Sequence, residues 1–190
     1  MSERKLAKLK LGVVVGSDRK ESINRKLAQA LAKLGGDAFD VTFIKIGDLP
    51  MYNQDNENPV PAPVARFKAE VEASQALLFV TPEHNRSIPA LLKNAIDWGT
   101  RPWGKSSWPG KPTAIIGTSG GVISSAVAQQ HLRAVLGGLP DLPVMSGEAY
   151  IQFKPELIDA AHDVTDANVR TFLKAFIDKF AGFAGKLIAP

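Results

Sequence analysis

The 190-residue sequence contains no cysteine. That excludes disulfides, thiolate metal sites, iron–sulfur clusters and a cysteine nucleophile, and leaves redox chemistry open only to a protein that borrows a cofactor. It also suits a reducing cytoplasm. Aromatic residues make up only 7% and the basic residues are scattered, so neither a stacking platform nor a dense basic stripe for nucleic acid is evident. Long apolar runs are missing too. Arg4, Lys5, Lys8 and Lys10 precede the apolar Leu11 to Val15, but Gly16, Ser17 and Asp18 end that run after a few residues, too soon to export or span. No Gly-x-Gly-x-x-Gly fingerprint follows it, which argues against NAD held as the main cofactor in a dinucleotide fold. The three histidines lack metal-ligand spacing, and no metal site is expected.

What is present is a chain 45% hydrophobic, enough for one continuous core, so a single domain over residues 1–190 is the expectation. A formal charge of +4 favours anionic partners such as nucleotides or oxyanions. Strand-like apolar runs occur at Leu9 to Val15, Val41 to Ile46, Ala76 to Thr81 and Thr113 to Gly117, with a weaker candidate at Pro143 to Ser146. Helical spacing lies between them. Ile23, Leu27, Ala30, Leu31 and Leu34 form one stripe, opened by Ser22 as N-cap and closed by Gly35 and Gly36. Further helices are predicted over Pro63 to Ser74, over Ser87 to Trp98 with Pro89 in its first turn, and through Val127, His131, Leu132, Val135 and Leu136. The last carries Val169, Phe172, Leu173, Phe176, Ile177 and Phe180. Strands that alternate with helices predict an α/β protein: a five-stranded parallel sheet of order 2-1-3-4-5 with helices on both faces. Ligands then bind beyond the carboxyl ends of the strands, so the loops after Val15, Thr81 and Gly117 are the ones to read.

The first loop, Gly16 to Asn24, joins strand 1 to a helix start. Free N–H groups there, with Ser17, Ser22, Asn24 and Arg19, suit a phosphate; the alternative is a capped helix with solvated charges. The second, Thr81 to Pro89, is polar and stiffened by Pro82, able to present backbone groups to the edge of a planar heterocycle; its alternative is a solvated turn around Glu83 and Arg86. His84 reads as a hydrogen-bonded histidine rather than a catalyst. The third, Thr118 to Ser125, has paired glycines that admit a ligand close to the backbone, or that serve a turn needing positive φ. Gly99-Thr100-Arg101-Pro102-Trp103-Gly104-Lys105-Ser106 fits the P-loop expression, but it follows a helix and runs into Trp108-Pro109-Gly110, the wrong context for a triphosphate cradle.

Taken together, Gly-Ser-x-Arg-x-x-Ser-x-Asn after strand 1, Pro-Glu-His-Asn-Arg-Ser-Ile-Pro-Ala-Leu-Leu-Lys-Asn-Ala-Ile-Asp-Trp after strand 3 and the Ser119-Gly120-Gly121 loop resemble the NADPH-dependent FMN reductase family. Leu49 to Asp55 and the Pro82 to Trp98 segment resemble its bacterial chromate and quinone reductase branch. The resemblance implies a flavodoxin-like three-layer sandwich with tightly bound FMN and with NADH or NADPH as co-substrate. It implies that Ser17, Arg19, Ser22 and Asn24 hold the phosphate, that Pro82, Glu83, His84 and Asn85 line the isoalloxazine, and that Ser119, Gly120 and Gly121 close over its far edge. Family members commonly carry tyrosine where this chain has His84. The implied activity is ping-pong reduction of a quinone, a flavin, or an oxyanion such as chromate, with no acid–base pair demanded of the protein. A homodimer or homotetramer is also implied, with the Gly47 to Pro63 segment reaching toward a neighbour. Arg101 is a candidate for attracting a nicotinamide phosphate or an anionic acceptor. The rival reading is a flavodoxin-type electron carrier that does not turn over NAD(P)H; such carriers usually show an acidic face, and this chain is basic.

Overall fold

A computed structural model describes residues 7–188, so Arg4 and Lys5 lie outside the described residues. Five strands, β1 (Leu9–Val15), β2 (Phe39–Ile44), β3 (Ala76–Val80), β4 (Thr113–Ser119) and β5 (Tyr150–Gln152), form one parallel sheet in the order β2-β1-β3-β4-β5. The predicted order is the observed one. Alternate strand residues point to opposite faces, so each central strand feeds two cores. Val13, Val15, Leu78, Val80 and Ile116 pack beneath α1 (Ile23–Leu34) and α5 (Ala167–Ile188). Val14, Leu77, Phe79 and Ile115 pack beneath α2 (Ala62–Ala73), α3 (Ala90–Gly99) and α4 (Ala126–Gly137). The sheet is thereby buried on both sides, the arrangement that parallel pairing requires. No helix among the described residues is long and apolar enough to cross a membrane.

Three elements depart from the sequence reading. The fifth strand is Tyr150–Gln152, not Pro143 to Ser146. The earlier segment touches β4 only through a bridge between Val144 and Thr113. Pro143 has no N–H to give a ladder, and the Arg133 guanidinium takes the carbonyls of Met145 and Gly147, so pairing lapses until Tyr150. The second strand begins at Phe39 and stops at Ile44, because the Lys45 carbonyl accepts from Arg66 (3.0 Å) instead of continuing the sheet. The third helix starts at Ala90 with Pro89 as its N-cap. Ser87 is not the cap: its backbone is closed in a turn with His84 and its hydroxyl meets His131 Nδ1 at 2.8 Å.

Two helical stripes are also rotated from expectation. In α4 the buried face is Ala128, Gln129, Leu132 and Leu136, leaving Val127 and His131 exposed. Gln129 displaces the apolar stripe because its amide donates to Ala149 O (3.0 Å) and to the Ser125 hydroxyl (3.2 Å) beneath the sheet edge. In α5 Leu173, Phe176, Ile177 and Phe180 are buried as expected, whereas Phe172 is exposed.

Candidate functional site

A cleft of about 480 Å³ opens at the carboxyl ends of β1, β3 and β4, within the size range of small-molecule and cofactor sites. All three loops singled out in the sequence contribute to its wall. Ser17, Arg19, Ser22, Asn24, Pro82, Glu83, His84, Ser119 and Gly120 line it. Asn85 and Gly121 lie beside the lining without joining it, and Arg101 is not part of it.

The first loop is shaped for an anion. Ser22 caps α1, its hydroxyl oxygen accepting the Arg25 N–H at 3.2 Å, which leaves the hydroxyl hydrogen to donate elsewhere. The N–H groups of Ser17, Asp18, Ile23 and Asn24 meet no acceptor among the described residues, and the first turn of α1 has no acidic side chain. Unpaired donors and the positive end of the helix dipole therefore lie together at this end of the cleft, and the exposed Arg19 lines it with one guanidinium nitrogen donating to the Glu21 carbonyl at 2.9 Å. Asn24 does a different job. Buried at 1% exposure, its amide donates to Thr118 O and accepts from Thr118 N, both at 3.0 Å, and so ties the start of α1 to the third loop. One amide hydrogen remains for a ligand.

The second loop is a tight hairpin. His84 and Ser87 exchange both backbone hydrogen bonds at 2.9 Å around Asn85 (φ 49°) and Arg86 (φ 63°), the positive pair of a type I′ turn. Asn tolerates that conformation; a left-handed arginine costs about 1–2 kcal/mol. Glu83 offsets the strain. One carboxylate oxygen pairs with Arg86 at 2.7 Å and the other accepts the Ala128 N–H at 3.1 Å. Ser125, the residue before α4, has φ 62° and offers no side-chain cap, so the helix takes its capping carboxylate from a residue 45 positions earlier. The solvated-turn alternative thus fails for Glu83, whose side chain is 9% exposed, and holds for Arg86 at 66%. His84 is exposed at the rim, with its own backbone N–H and C=O committed to the turn.

In the third loop neither Gly120 nor Gly121 has positive φ, so turn geometry does not explain them. A Cβ at Gly120 would meet nothing within 4 Å, and one at Gly121 would meet only the Ser119 hydroxyl at 3.7 Å. What the glycines preserve is open space above the cleft. Gln152 holds the Gly120 carbonyl at 3.0 Å, fixing the loop from behind. Gly16 is constrained in the opposite sense: a Cβ there would press on Leu92 (3.2 Å) and Pro82 (3.3 Å), so the glycine lets the first two loops close up.

Arg101 sits on a separate shelf. Its guanidinium lies 5.5 Å from the centre of the Tyr52 ring, 5.8 Å from that of Trp103, and 3.8 Å from the Glu57 carboxylate. Desolvation, and next the hydrogen bond it donates to Glu57 (2.8 Å), raise the Tyr52 phenol above its ordinary pKa. Two residues of α3 secure this shelf. Asn94 accepts from Tyr52 N (2.7 Å) and donates to Pro50 O (3.0 Å), where the Trp98 indole N–H also donates (2.7 Å). The P-loop match is structurally the reverse of a phosphate cradle: Lys68 of α2 donates to the carbonyl of Lys105 (2.7 Å) and to the Ser107 hydroxyl (2.8 Å). Burial lowers the Lys68 pKa against an opposing pull from Glu72. Among the described residues no three His, Asp or Glu side chains are placed to hold a metal.

Sequence reasoning did not name Gly16, Asp18, Ile23, Pro89, Ala90, Leu91 or Thr118 as site residues, although each lies in or next to a segment it singled out.

The family model for NADPH-dependent FMN reductase matches residues 9–156. A quinone reductase from Pseudomonas putida is 49% identical over 175 residues, covering 91% of this chain and 93% of the relative. A 2-hydroxy-1,4-benzoquinone reductase from a Burkholderia species is 46% identical over 175 residues, covering 92% and 96%. Among solved structures, the flavoenzyme NAD(P)H:(acceptor) oxidoreductase FerB from Paracoccus denitrificans superposes with a TM-score of 0.90 at 46% identity, covering 94% of this chain and 98% of that one.

Proposed function

The chain belongs to the NADPH-dependent FMN reductase family, with its flavodoxin-like fold, FMN cofactor and NAD(P)H co-substrate, and from that premise we propose that it reduces quinones, and secondarily free flavins or oxyanions such as chromate, by a ping-pong cycle through one open cleft. The observation that carries this reading is the convergence of unpaired donors at the α1 terminus with the empty space over Gly120 and Gly121 in that cleft. The quinone preference is drawn from the named activities of the Pseudomonas and Burkholderia relatives. The reading treats residues 1–190 as one FMN-binding domain, in a cytoplasmic setting where reduced nicotinamide nucleotides are at hand.

FMN, when bound, supplies the acceptance of a hydride from the donor and its return to the acceptor. The protein's share is placement. Ser17, Arg19 and Ser22 would hold the phosphate, with Asn24 contributing its remaining amide hydrogen while it anchors Thr118. Pro82 and His84 would flank the ring. Glu83 would act by fixing the hairpin to α4 rather than by offering its carboxylate to the ring, since both oxygens are engaged. The N–H groups of Gly120 and Gly121, which take no acceptor among the described residues, would close the far side. Asn85 would assist through its backbone. His84, exposed at the rim of the cleft, would adjust which acceptors fit. Arg101, on its shelf outside the lining, would draw anionic acceptors toward the cleft mouth.

A homodimer or homotetramer is part of the proposal, supported by apolar side chains left in the open: Val122 at 84%, Trp103 at 85% and Met51 at 71% exposure. Light scattering at micromolar concentration tests it, and a single monomeric species would refute it. The enzymatic reading is tested by the absorption spectrum of the purified protein, titrated anaerobically with NADH and NADPH in separate cuvettes. Flavin bands that bleach and then return on adding a quinone are the expected result. Bands that stay oxidised point instead to an electron carrier, and a colourless protein that refuses FMN refutes the site.

A further inference from the structure

Reduction of a quinone to a hydroquinone takes two electrons and two protons. A hydride carries both electrons and one proton, so the second proton has to reach a quinone oxygen from elsewhere. The cleft offers few sources. Among its lining residues only Asp18, Arg19, Glu83 and His84 have acidic or basic side chains. Arg19 keeps its proton throughout the range in which proteins work, and Glu83 has one oxygen on Arg86 at 2.7 Å and the other on the Ala128 N–H at 3.1 Å. Asp18 belongs to the first loop, at the end of the cleft shaped for an anion. His84 stands on the loop that would carry the flavin ring. Its main chain is fixed, exchanging both backbone hydrogen bonds with Ser87 at 2.9 Å, in a turn that Glu83 ties to α4. Its imidazole is not: the histidine bonded here is His131, whose Nδ1 meets the Ser87 hydroxyl, whereas the His84 ring makes no hydrogen bond or ion pair with any described residue.

A side chain held at the cleft by a rigid turn, free of partners and open to water at the rim, can hand a proton inward and recover one from solvent. We infer that His84 is the acid that completes quinone reduction. As the hydride adds to the quinone, the imidazolium gives its proton to a quinone oxygen; the quinone leaves as hydroquinone, and the neutral imidazole takes a proton back from water. The inference deepens the quinone-reductase reading and rests on it. The charged and titratable groups around the ring come from three elements. Glu83 and Arg86 on its own loop neutralise each other, Asp18 and Arg19 line the cleft from the first loop, and α4 brings His131. The lining residues of the third loop and of α3 carry no charge. An acceptor that takes electrons without protons has no use for this acid. Ferricyanide is such an acceptor, each molecule taking one electron and no proton, so it separates the role of His84 from that of the flavin.

The test compares His84→Phe and His84→Gln with the parent, each loaded with FMN and reduced anaerobically with NADH. Stopped-flow absorbance then follows reoxidation by a saturating neutral quinone and, separately, by saturating ferricyanide. Phenylalanine removes both the proton and the hydrogen bond; glutamine keeps a donor that does not ionise. In both variants the ratio of quinone rate to ferricyanide rate is expected to fall about a hundredfold, the lower end of what a positioned general acid contributes. The parent's quinone rate is expected to fall as pH rises through the range in which histidine loses its charge, between about pH 5 and 8, and both variants to lack that dependence. A second readout needs no turnover. In the oxidised flavin-loaded parent, 4-methoxyphenol, a hydroquinone analogue with one oxygen capped, is expected to shift the imidazole nitrogen resonances of His84 and leave those of His131 in place. A rate ratio that does not change in His84→Phe, a ratio restored by His84→Gln, or a His84 ring that does not respond to the phenol would each overturn the assignment while leaving a parent that reduces quinones. A parent whose flavin no nicotinamide nucleotide bleaches refutes the oxidoreductase reading, and the acid role with it.

Discussion

Replacing Glu83 with alanine removes an interaction that no local pattern announces. Its carboxylate joins the second loop to α4 by accepting the Ala128 N–H at 3.1 Å, and it pairs with Arg86 at 2.7 Å. The helix has no other cap, because Ser125 enters with φ 62° and no side-chain bond. Losing an N-cap costs about 1 kcal/mol, within a range of roughly 0.5–2. The pair with the largely exposed Arg86 adds at most about 1 kcal/mol, because solvent screens it. The total of about 0.5–3 kcal/mol corresponds to a fall in Tm of about 1–12 °C for a chain of this length. Glu83→Gln keeps an acceptor oxygen for Ala128 and gives up the charge and the oxygen that pairs with the exposed Arg86, so it should lie within about 1 kcal/mol of the parent. Thermal unfolding followed by far-ultraviolet circular dichroism, with and without added FMN, checks both. An alanine variant whose Tm stays within a degree of the parent refutes the capping argument, and a glutamine variant as unstable as the alanine one would show that charge, not the hydrogen bond, joins the loops.

The remaining predictions separate binding from folding. Gly120→Leu places a side chain where the chain itself has nothing within 4 Å and φ is not positive, so Tm should be unchanged while FMN retention on dialysis falls about tenfold or more; equal FMN retention would show that the space is not a ligand's. Asn24→Leu strands the buried N–H and C=O of Thr118 and should cost about 2–5 kcal/mol, measured by chemical denaturation. Gly99→Ala drives a methyl into the buried Trp108 ring and should cost about 1–3 kcal/mol without altering the flavin spectrum of the folded fraction. Arg101→Ala should raise KM for chromate or ferricyanide more than for a neutral quinone, and unchanged values for all three would remove Arg101 from the mechanism.

Fold and site differ in how far the sequence reveals them. β1 and the start of α1 were legible to the residue, since a five-residue buried run followed by a glycine and a capping serine states both period and boundary. The strand order follows from alternation together with the count of five strands. The last strand did not, because Tyr150–Gln152 is too short to show a period and its position depends on Arg133 drawing off two upstream carbonyls. Likewise the stripe of α4 differs from the predicted one because Gln129, a polar residue, is fully buried among acceptors that only the tertiary structure supplies.

The same distinction orders the site. Residues that would touch a ligand through their own local geometry, such as Ser22 at a helix start or Gly120 in a loop, could be named from their neighbours in the chain. Residues that hold one loop to another could be named only as members of a motif, because their partners are distant in the chain. Asn24 was read as a phosphate ligand and is first a clamp on Thr118, 94 positions away. Glu83 was read as a ring contact and is first a cap on α4. Asn94 and Trp98 belong to the longest motif, yet they do not line the cleft and grip Pro50 and Tyr52 instead. Much of the Pro82 to Trp98 signature therefore encodes the joining of loops. Substituting a residue that only joins loops should lower stability and flavin affinity together, whereas substituting one that meets the ligand should lower affinity alone. Glu83→Ala and Gly120→Leu are the pair that measures the difference.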